Sequence, residues 1–215
     1  MKKNKKLNFA MDLPNTIDLK DYTLLHKVGQ GSFGEVYQVK HKKSGSIYAA
    51  KISFKPLDEN SLESLRDLSR EVNILSKIKC PSIIELIGFS STNFHGEPKP
   101  VIITEYLSNG SLYDIILLER RSLSNFEWNS TRKLITIYGI ASSMKYLHAH
   151  NILHRDLKPG NILMDDYLCP KIADFGLSKI QHSNQDSLTI ESTLEVKGSP
   201  AYISPEVWKN QKYTK

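Results

Sequence analysis

A chain of 215 residues, 40% hydrophobic and 24% charged, has room for one large domain or two small lobes with a sizeable core. Two cysteines exclude a disulfide framework or a cysteine metal cluster, and no apolar run is long enough to span a membrane. The net charge of +6 is spread over scattered Lys and Arg, which argues against a dedicated nucleic-acid surface.

The start, MKKNKKLNFAMDLP, is basic without an apolar signal segment, so residues 1–21 read as a solvated, frayed tail. A nuclear-import patch at Lys2, Lys3, Lys5 and Lys6 is the lesser alternative. Residues 22–55 read as β-structure: YTLLHKVG enters a Gly-rich turn, and two strands follow around Ser44-Gly45. From about Asp58 the period becomes helical, with Leu65, Leu68, Val72, Leu75 and Ile78 on one stripe ending at Cys80-Pro81. IIELIGFS and PVIITEYL read as a strand pair. SNGS, residues 108–111, is the best internal boundary. Beyond it the chain is mainly helical: a short segment at Leu112–Glu119, then Glu127 to about His150, with Leu134, Ile137, Ala141, Met144 and Leu147 as its apolar face. A β-rich part before a helix-rich part implies an α+β chain of two lobes with a cleft between them. The division is a tail at 1–21, one lobe at 22–107 and a second at 108–215.

Three stretches carry chemistry. In GQGSFGEV, residues 29–36, glycines let backbone N–H groups approach phosphate oxygens. A dinucleotide fold would need a helix after the glycines; EVYQVK alternates like a strand, which makes a flap between strands, or a plain hairpin turn. Lys51, ending an apolar strand in YAAKISF, could hold phosphate if a carboxylate such as Glu71 fixed it; edge decoration is the bland reading. In ILHRDLKPGNILM, Ile152-Leu153 and Ile162-Leu163-Met164 anchor a polar loop on both sides. Asp156 can accept a proton, Lys158 can neutralise phosphate, and Asn161 offers an amide oxygen to a hard cation. KIADFGLS adds a second acid, Asp174. A base and a metal-holding acid suit phosphoryl transfer.

Seven stretches in this order, GQGSFGEV, YAAK, REVNIL, ITEYL, HRDLKPGN, DFG and GSPAYISPE, resemble the eukaryotic protein kinases, over about Tyr22 to the end. The resemblance implies a bilobal α+β fold, ATP and Mg2+ as cofactors, and phosphorylation of a protein hydroxyl. It implies that Gly29, Gln30, Gly31, Ser32, Phe33, Gly34 and Glu35 form the flap over the phosphates. Val28, Val36, Ala49 and Leu163 would sandwich adenine, Lys51 would pair with Glu71 and touch phosphate, and Thr104 would guard the back of the pocket. Glu105 to Leu107 would form the hinge. Asp156 and Lys158 would be catalytic, Asn161 and Asp174 would hold metal, and Leu75, Leu86, His154 and Phe175 would stack between the lobes. Lys158 and Ser199 are similar to the Ser/Thr-specific members, and the style of ITEYLSNGSL and GSPAYISPE to the tyrosine-kinase-like branch. Arg155 points to control by a phosphorylated loop, where Ser187, Thr189, Ser192 and Thr193 offer hydroxyls and Glu195 could stand in for a phosphate.

The departures are Ser204 in place of Ala before Pro205-Glu206, and a sequence given only to Lys215, before the helices that follow in that family. The expectation is therefore a Ser/Thr kinase domain with an incomplete second lobe. The alternative is a truncated, pseudokinase-like nucleotide-binding module that regulates another protein. Two cysteines suit a reducing cytosol, with the nucleus as the lesser alternative; a monomer with no membrane and no nucleic-acid partner is expected, and the resemblance implies protein Ser or Thr as its substrate.

Overall fold

β-branched and aromatic residues recur after Asp21 and give three successive strands. They are β1 (Tyr22–Gln30), β2 (Gly34–His41) and β3 (Ile47–Ser53), antiparallel in sequence. The structure, a computed structural model, describes residues 15–31, 33–57, 62–123, 128–180 and 199–209, with the backbone alone for 62–69. Helix α1 (Leu62–Lys77) leads to β4 (Leu86–Ser90) and β5 (Val101–Glu105), which complete a five-stranded sheet of order β1-β2-β3-β5-β4. Val72, Leu75 and Ile78 of the expected helical stripe are buried. The side chains of Leu65 and Leu68 lie outside the described residues.

Register fixes the two faces of this sheet. Val36 pairs with Lys51 and Lys51 with Ile102, while Ala49 pairs with Thr104. Cross-strand partners share a face, so Val36, Ala49, Lys51, Ile102 and Thr104 line one side. Val39, Ala50, Val101 and Ile103 take the other and are buried in an apolar core with Leu19 and Tyr22.

That core corrects the reading of residues 15–21 as a frayed tail. Ile17 N–H donates to Phe89 O at 3.0 Å, and Phe89 N–H donates to Asn15 O at 2.9 Å. Asp18 caps a 3-10 turn at Leu19–Asp21, and Leu19 is buried. This strap covers the outer edge of β4, where an open edge would expose unpaired backbone groups. Lys2, Lys3, Lys5 and Lys6 lie outside the described residues.

The chain divides into two compact units. One takes the described residues through Ile78 and Glu85–Tyr106; the other takes Lys79–Ile84 and the described residues from Leu107 onward. IIELIGFS is therefore not one strand. Ile84 N–H donates to Ile172 O and Ile172 N–H to Ser82 O, both at 2.9 Å, so residues 82–84 serve the second unit.

In the second unit α2 (Leu112–Arg120) starts at a capping box of Ser111 and Asp114, and α3 (Ser130–Ala149) at an Asn129 cap. Helix α3 thus begins three residues later than the expected Glu127, which lies outside the described residues. Strand β6 (Ile152–Leu153) pairs with β9 (Lys179–Ile180), and β7 (Ile162–Met164) with β8 (Pro170–Ile172). A short α4 spans Pro205–Trp208.

The expected apolar face of α3 is also corrected. Leu147 of that face is buried, but Leu134 and Ile137 are exposed at 66% and 64%, and Thr136 and Ser143 are buried in their place. Small residues win because β8 comes close: a Cβ on Gly139 would lie 2.6 Å from Pro170 Cγ. Of the two buried hydroxyls, Thr136 donates to Arg132 O at 2.9 Å, and Ser143 is within reach of Gly139 O at 2.8 Å and Ser82 O at 3.1 Å. Among the described residues no helix is long and apolar enough to cross a membrane.

The strap makes a prediction. A Cβ on Gly88 would sit 2.4 Å from Ile17 Cγ2 and 2.6 Å from Asn15 O. Gly88→Ala should detach the strap and lower stability by about 1–3 kcal/mol. A thermal melt checks this; a melting temperature equal to wild type would show that the strap is not packed there.

Candidate functional site

In the first unit, the central strand β3 presents Lys51 to α1. Lys51 Nζ donates to both Glu71 oxygens at 3.1 Å, and Glu71 is buried. At side-chain exposures of 24% and 11%, this pair is screened less than a surface one. The Phe33 ring centroid lies 6.0 Å from the same ammonium. Val36, Ala49 and Thr104 share the Lys51 face. Val28 is exposed at 42%. Thr104 donates its hydroxyl to Glu105 O at 3.2 Å, and Glu85 N–H donates to Glu105 Oε1 at 2.9 Å.

Gly31 N–H donates to Gly34 O at 2.9 Å and closes the turn between β1 and β2. Ser32 lies outside the described residues. The three glycines are not equivalent. A Cβ on Gly34 would be 2.2 Å from Ile52 O, so the fold itself demands glycine there. A Cβ on Gly29 or Gly31 would meet no atom within 4 Å. The fold leaves room at both, which suits an external group such as phosphate approaching the backbone. Gln30 and Glu35, expected in the flap, do not share the Lys51 face: Gln30 pairs with Glu35, and Glu35 with Ile52, on the opposite side.

In the second unit, the loop after β6 gathers Asp156, Lys158 and Asn161. Asp156 is 6% exposed and surrounded by donors. Its Oδ2 accepts from Asn161 Nδ2 at 2.8 Å and from Lys158 Nζ at 2.9 Å, and its Oδ1 accepts from Ser199 N–H at 3.1 Å. Lys158 also donates to Ser199 Oγ at 2.7 Å. Asn161 Nδ2 donates a second time, to Asp156 O at 2.8 Å. Both bonds use the amide nitrogen, and its oxygen is the atom type a hard cation takes.

Asp174 is brought to this loop by a hairpin. Ile162 pairs with Ile172 in the β7–β8 ladder, and Ala173 N–H donates to Asn161 O at 2.9 Å. Asn161 precedes β7 and Asp174 follows β8, so both stand at one end of the hairpin. Asp174 has φ 61° and Arg155 has φ 67°. Non-glycine residues rarely occupy this region, and such strain gathers at functional sites. Sequence spacing carries no signal of it. Arg155 Nε donates to Leu177 O at 2.6 Å. Leu163 and Leu107 are half-buried in this unit. Ser187, Thr189, Ser192, Thr193 and Glu195 lie outside the described residues.

A model of the protein kinase domain family matches residues 22–215. The chain belongs to the protein kinase family. This kinase domain is similar to the Aurora kinase of Candida glabrata, with 34% identity over 202 residues, 93% of this chain and 51% of that protein. It is 31% identical over 199 residues to a serine/threonine-protein kinase of Arabidopsis thaliana, covering 92% of this chain and 31% of the relative. Cysteine-rich receptor-like protein kinase 19 of the same plant is 36% identical over 186 residues, or 85% of this chain and 26% of the relative. The chain spans about half the length of the Aurora kinase and less of the other two.

In this kinase domain the residue that holds the site together is His154. Its ring packs edge-on to Phe175 with centroids 4.9 Å apart. Nε2 lies 3.0 Å from Ala173 O, and Nδ1 is 3.3 Å from the Asp156 N–H. The carbonyl needs a donor and the N–H an acceptor, which assigns the neutral ring with its proton on Nε2. Burial pushes His154 below its ordinary value, against the raising effects of the Ala173 carbonyl, Asp174 and Asp156.

A stability dependence follows. Unfolding frees His154 to take up a proton near its ordinary value of about 6.5, so the unfolded chain binds more protons below that pH. Its contribution is complete above that value and is lost as pH falls towards the depressed folded value. Melts between about pH 8 and about pH 5 should show an acid-side loss of up to about 1.4 kcal/mol per pH unit that His154→Gln lacks. An identical slope in both proteins would remove the assignment.

Proposed function

We propose that the chain is the catalytic domain of a protein serine/threonine kinase that uses ATP with Mg2+ and acts on protein hydroxyls in the cytoplasm as a monomer. The observation that carries this reading is the buried Asp156 carboxylate, held by Lys158, Asn161 and the Ser199 backbone. A carboxylate fixed at both oxygens is oriented before any acceptor arrives, as a general base must be. Lys158 beside it favours serine or threonine as the acceptor, as does the printed name of the Arabidopsis serine/threonine kinase. The tyrosine-kinase-like placement rests on ITEYLSNGSL and GSPAYISPE alone.

When bound, ATP supplies the phosphoryl group, and the metal neutralises charge on its phosphates. The chain's own residues bind and orient. Lys51, fixed by Glu71, offers one ammonium to phosphate oxygens. Gly29 and Gly31 leave their backbone open to phosphate. Val28, Val36, Ala49 and Leu163 offer apolar surface to the base, and Thr104, Glu105 and Leu107 offer the hinge. Asn161 and Asp174 each contribute an oxygen ligand. They would hold the cation together with phosphate oxygens and water, the ligands a hard cation of this kind takes. Asp156 takes the proton of the acceptor hydroxyl, and Lys158 balances charge beside it.

The test is phosphoryl transfer from radiolabelled Mg-ATP to a generic basic protein by the purified protein. Asp156→Asn should lower turnover by about a hundredfold or more while ATP still binds. Equal turnover in Asp156→Asn would overturn the assignment. ATP binding without transfer by the wild type would instead support the regulatory module.

A further inference from the structure

The glycine turn is braced from the side that faces away from Lys51. Lys27 Nζ donates to Gln30 Oε1 at 2.7 Å and to Glu35 Oε1 at 2.8 Å. The Tyr37 hydroxyl donates to Glu35 Oε2 at 3.0 Å. Lys27 pairs with Tyr37 and Gln30 with Glu35 across β1 and β2, so the four groups form a patch at the root of the turn. The ladder is irregular at the same place: register slips between Leu24 and Lys27 and again between Lys27 and Gly29. Lys27 sits between the two slips. Side chains supply there the cross-strand connection that a bulged ladder supplies poorly.

The Glu35 carboxylate has both oxygens engaged, by donors from both strands. Its bonds from Lys27 and then Tyr37 hold it below the usual range, and Glu35 in turn raises the Tyr37 hydroxyl. Two features argue that the patch is more than an ordinary surface ion pair, which contributes little. One carboxylate collects two donors, and the segment it spans is rich in glycine, which has the most conformational freedom to lose on ordering. A turn ordered beforehand does not bear that cost when its ligand arrives.

We propose that Lys27, Gln30, Glu35 and Tyr37 form a polar clasp that presets the glycine turn for phosphate binding. They are positioning residues that act through Gly29 and Gly31 and do not touch the nucleotide. The nucleotide part rests on the kinase reading above; the bracing of the turn does not.

Two readouts on the whole protein separate them. In Glu35→Ala and Lys27→Met, hydrogen exchange at the Gly31 amide should accelerate by about threefold to fivefold. Calorimetric titration with Mg-ATP should show a dissociation constant raised by about the same factor, with turnover at saturating ATP changed by less than about twofold. The charge-swapped double variant, Lys27→Glu with Glu35→Lys, should recover most of both effects. Unchanged exchange and affinity in the single variants would overturn the clasp. So would an affinity loss that follows the melting temperature and is not recovered by the swap. Lys51→Met is the control. A wild type that binds no ATP, with Lys51→Met no different, would sink the kinase reading and with it the phosphate role of the clasp. ATP binding that Lys51→Met impairs and Glu35→Ala leaves intact would sink the clasp alone.

Discussion

A carboxylate taken out of water needs donors on its oxygens, and Asp156 shows how much structure that single demand organises. Lys158 and Asn161 come from its own loop, and the Ser199 N–H comes from 43 residues further along. The backbone on either side is tied into the same arrangement. His154 Nδ1 accepts from the Asp156 N–H, and its Nε2–H donates to Ala173 O. Ala173 N–H donates to Asn161 O, and Asn161 Nδ2 returns to Asp156 O. The circuit closes on itself. The loop's buried donors and carboxylate are met by one another and by Lys158 and Ser199, which is why a loop so rich in charge can sit between the apolar pair at 152–153 and the apolar triplet at 162–164.

The first unit meets a different constraint by dividing one sheet into two faces. Val39, Ala50, Val101 and Ile103 bury one side, and the strap closes it with Leu19. The other side is then available for Lys51, and Glu71 on α1 fixes that ammonium with both oxygens. Because side chains alternate along a strand, the same register that puts Val36 beside Lys51 puts Glu35 and Tyr37 away from it. Neighbouring residues of one motif therefore face opposite ways: Val36 lies on the Lys51 side, and Glu35 on the side of the Lys27 and Tyr37 contacts.

Much of this was legible in the sequence because its signals are local. A strand–glycine–strand pattern, a change from period 2 to period 3.6 from about Asp58, and a polar loop between apolar anchors each imply their own structure. The misreadings share one cause, which is that the deciding partner is distant. In α3 the spacing of Leu134, Ile137 and Ala141 marks a stripe, but Pro170 of β8 decides that the Gly139 side is packed. In IIELIGFS the composition marks a strand, but Ile172 takes residues 82–84 for the other unit. In residues 15–21 the polar composition hides a strap whose partner, Phe89, lies more than seventy residues on. The left-handed backbone at Arg155 has no compositional mark, and at Asp174 the mark is weak, since Asp enters that region more readily than most residues but far less than glycine.

The glycines give the sharpest separation between what the fold needs and what a ligand needs. Gly34 is forced, because any side chain there would run into the carbonyl of Ile52 on the neighbouring strand. Gly29 and Gly31 are not, because open space surrounds the position where each Cβ would stand. Neither falls in the left-handed region that only glycine adopts easily. A glycine in the middle of a strand or turn costs conformational entropy on folding, so two that the fold does not use are a cost without an internal return. A group from outside the chain, such as the phosphate of the proposed function, is what would supply that return. The backbone there is open to a group that a side chain would keep at a distance, on a turn whose far side is already held by Lys27, Glu35 and Tyr37.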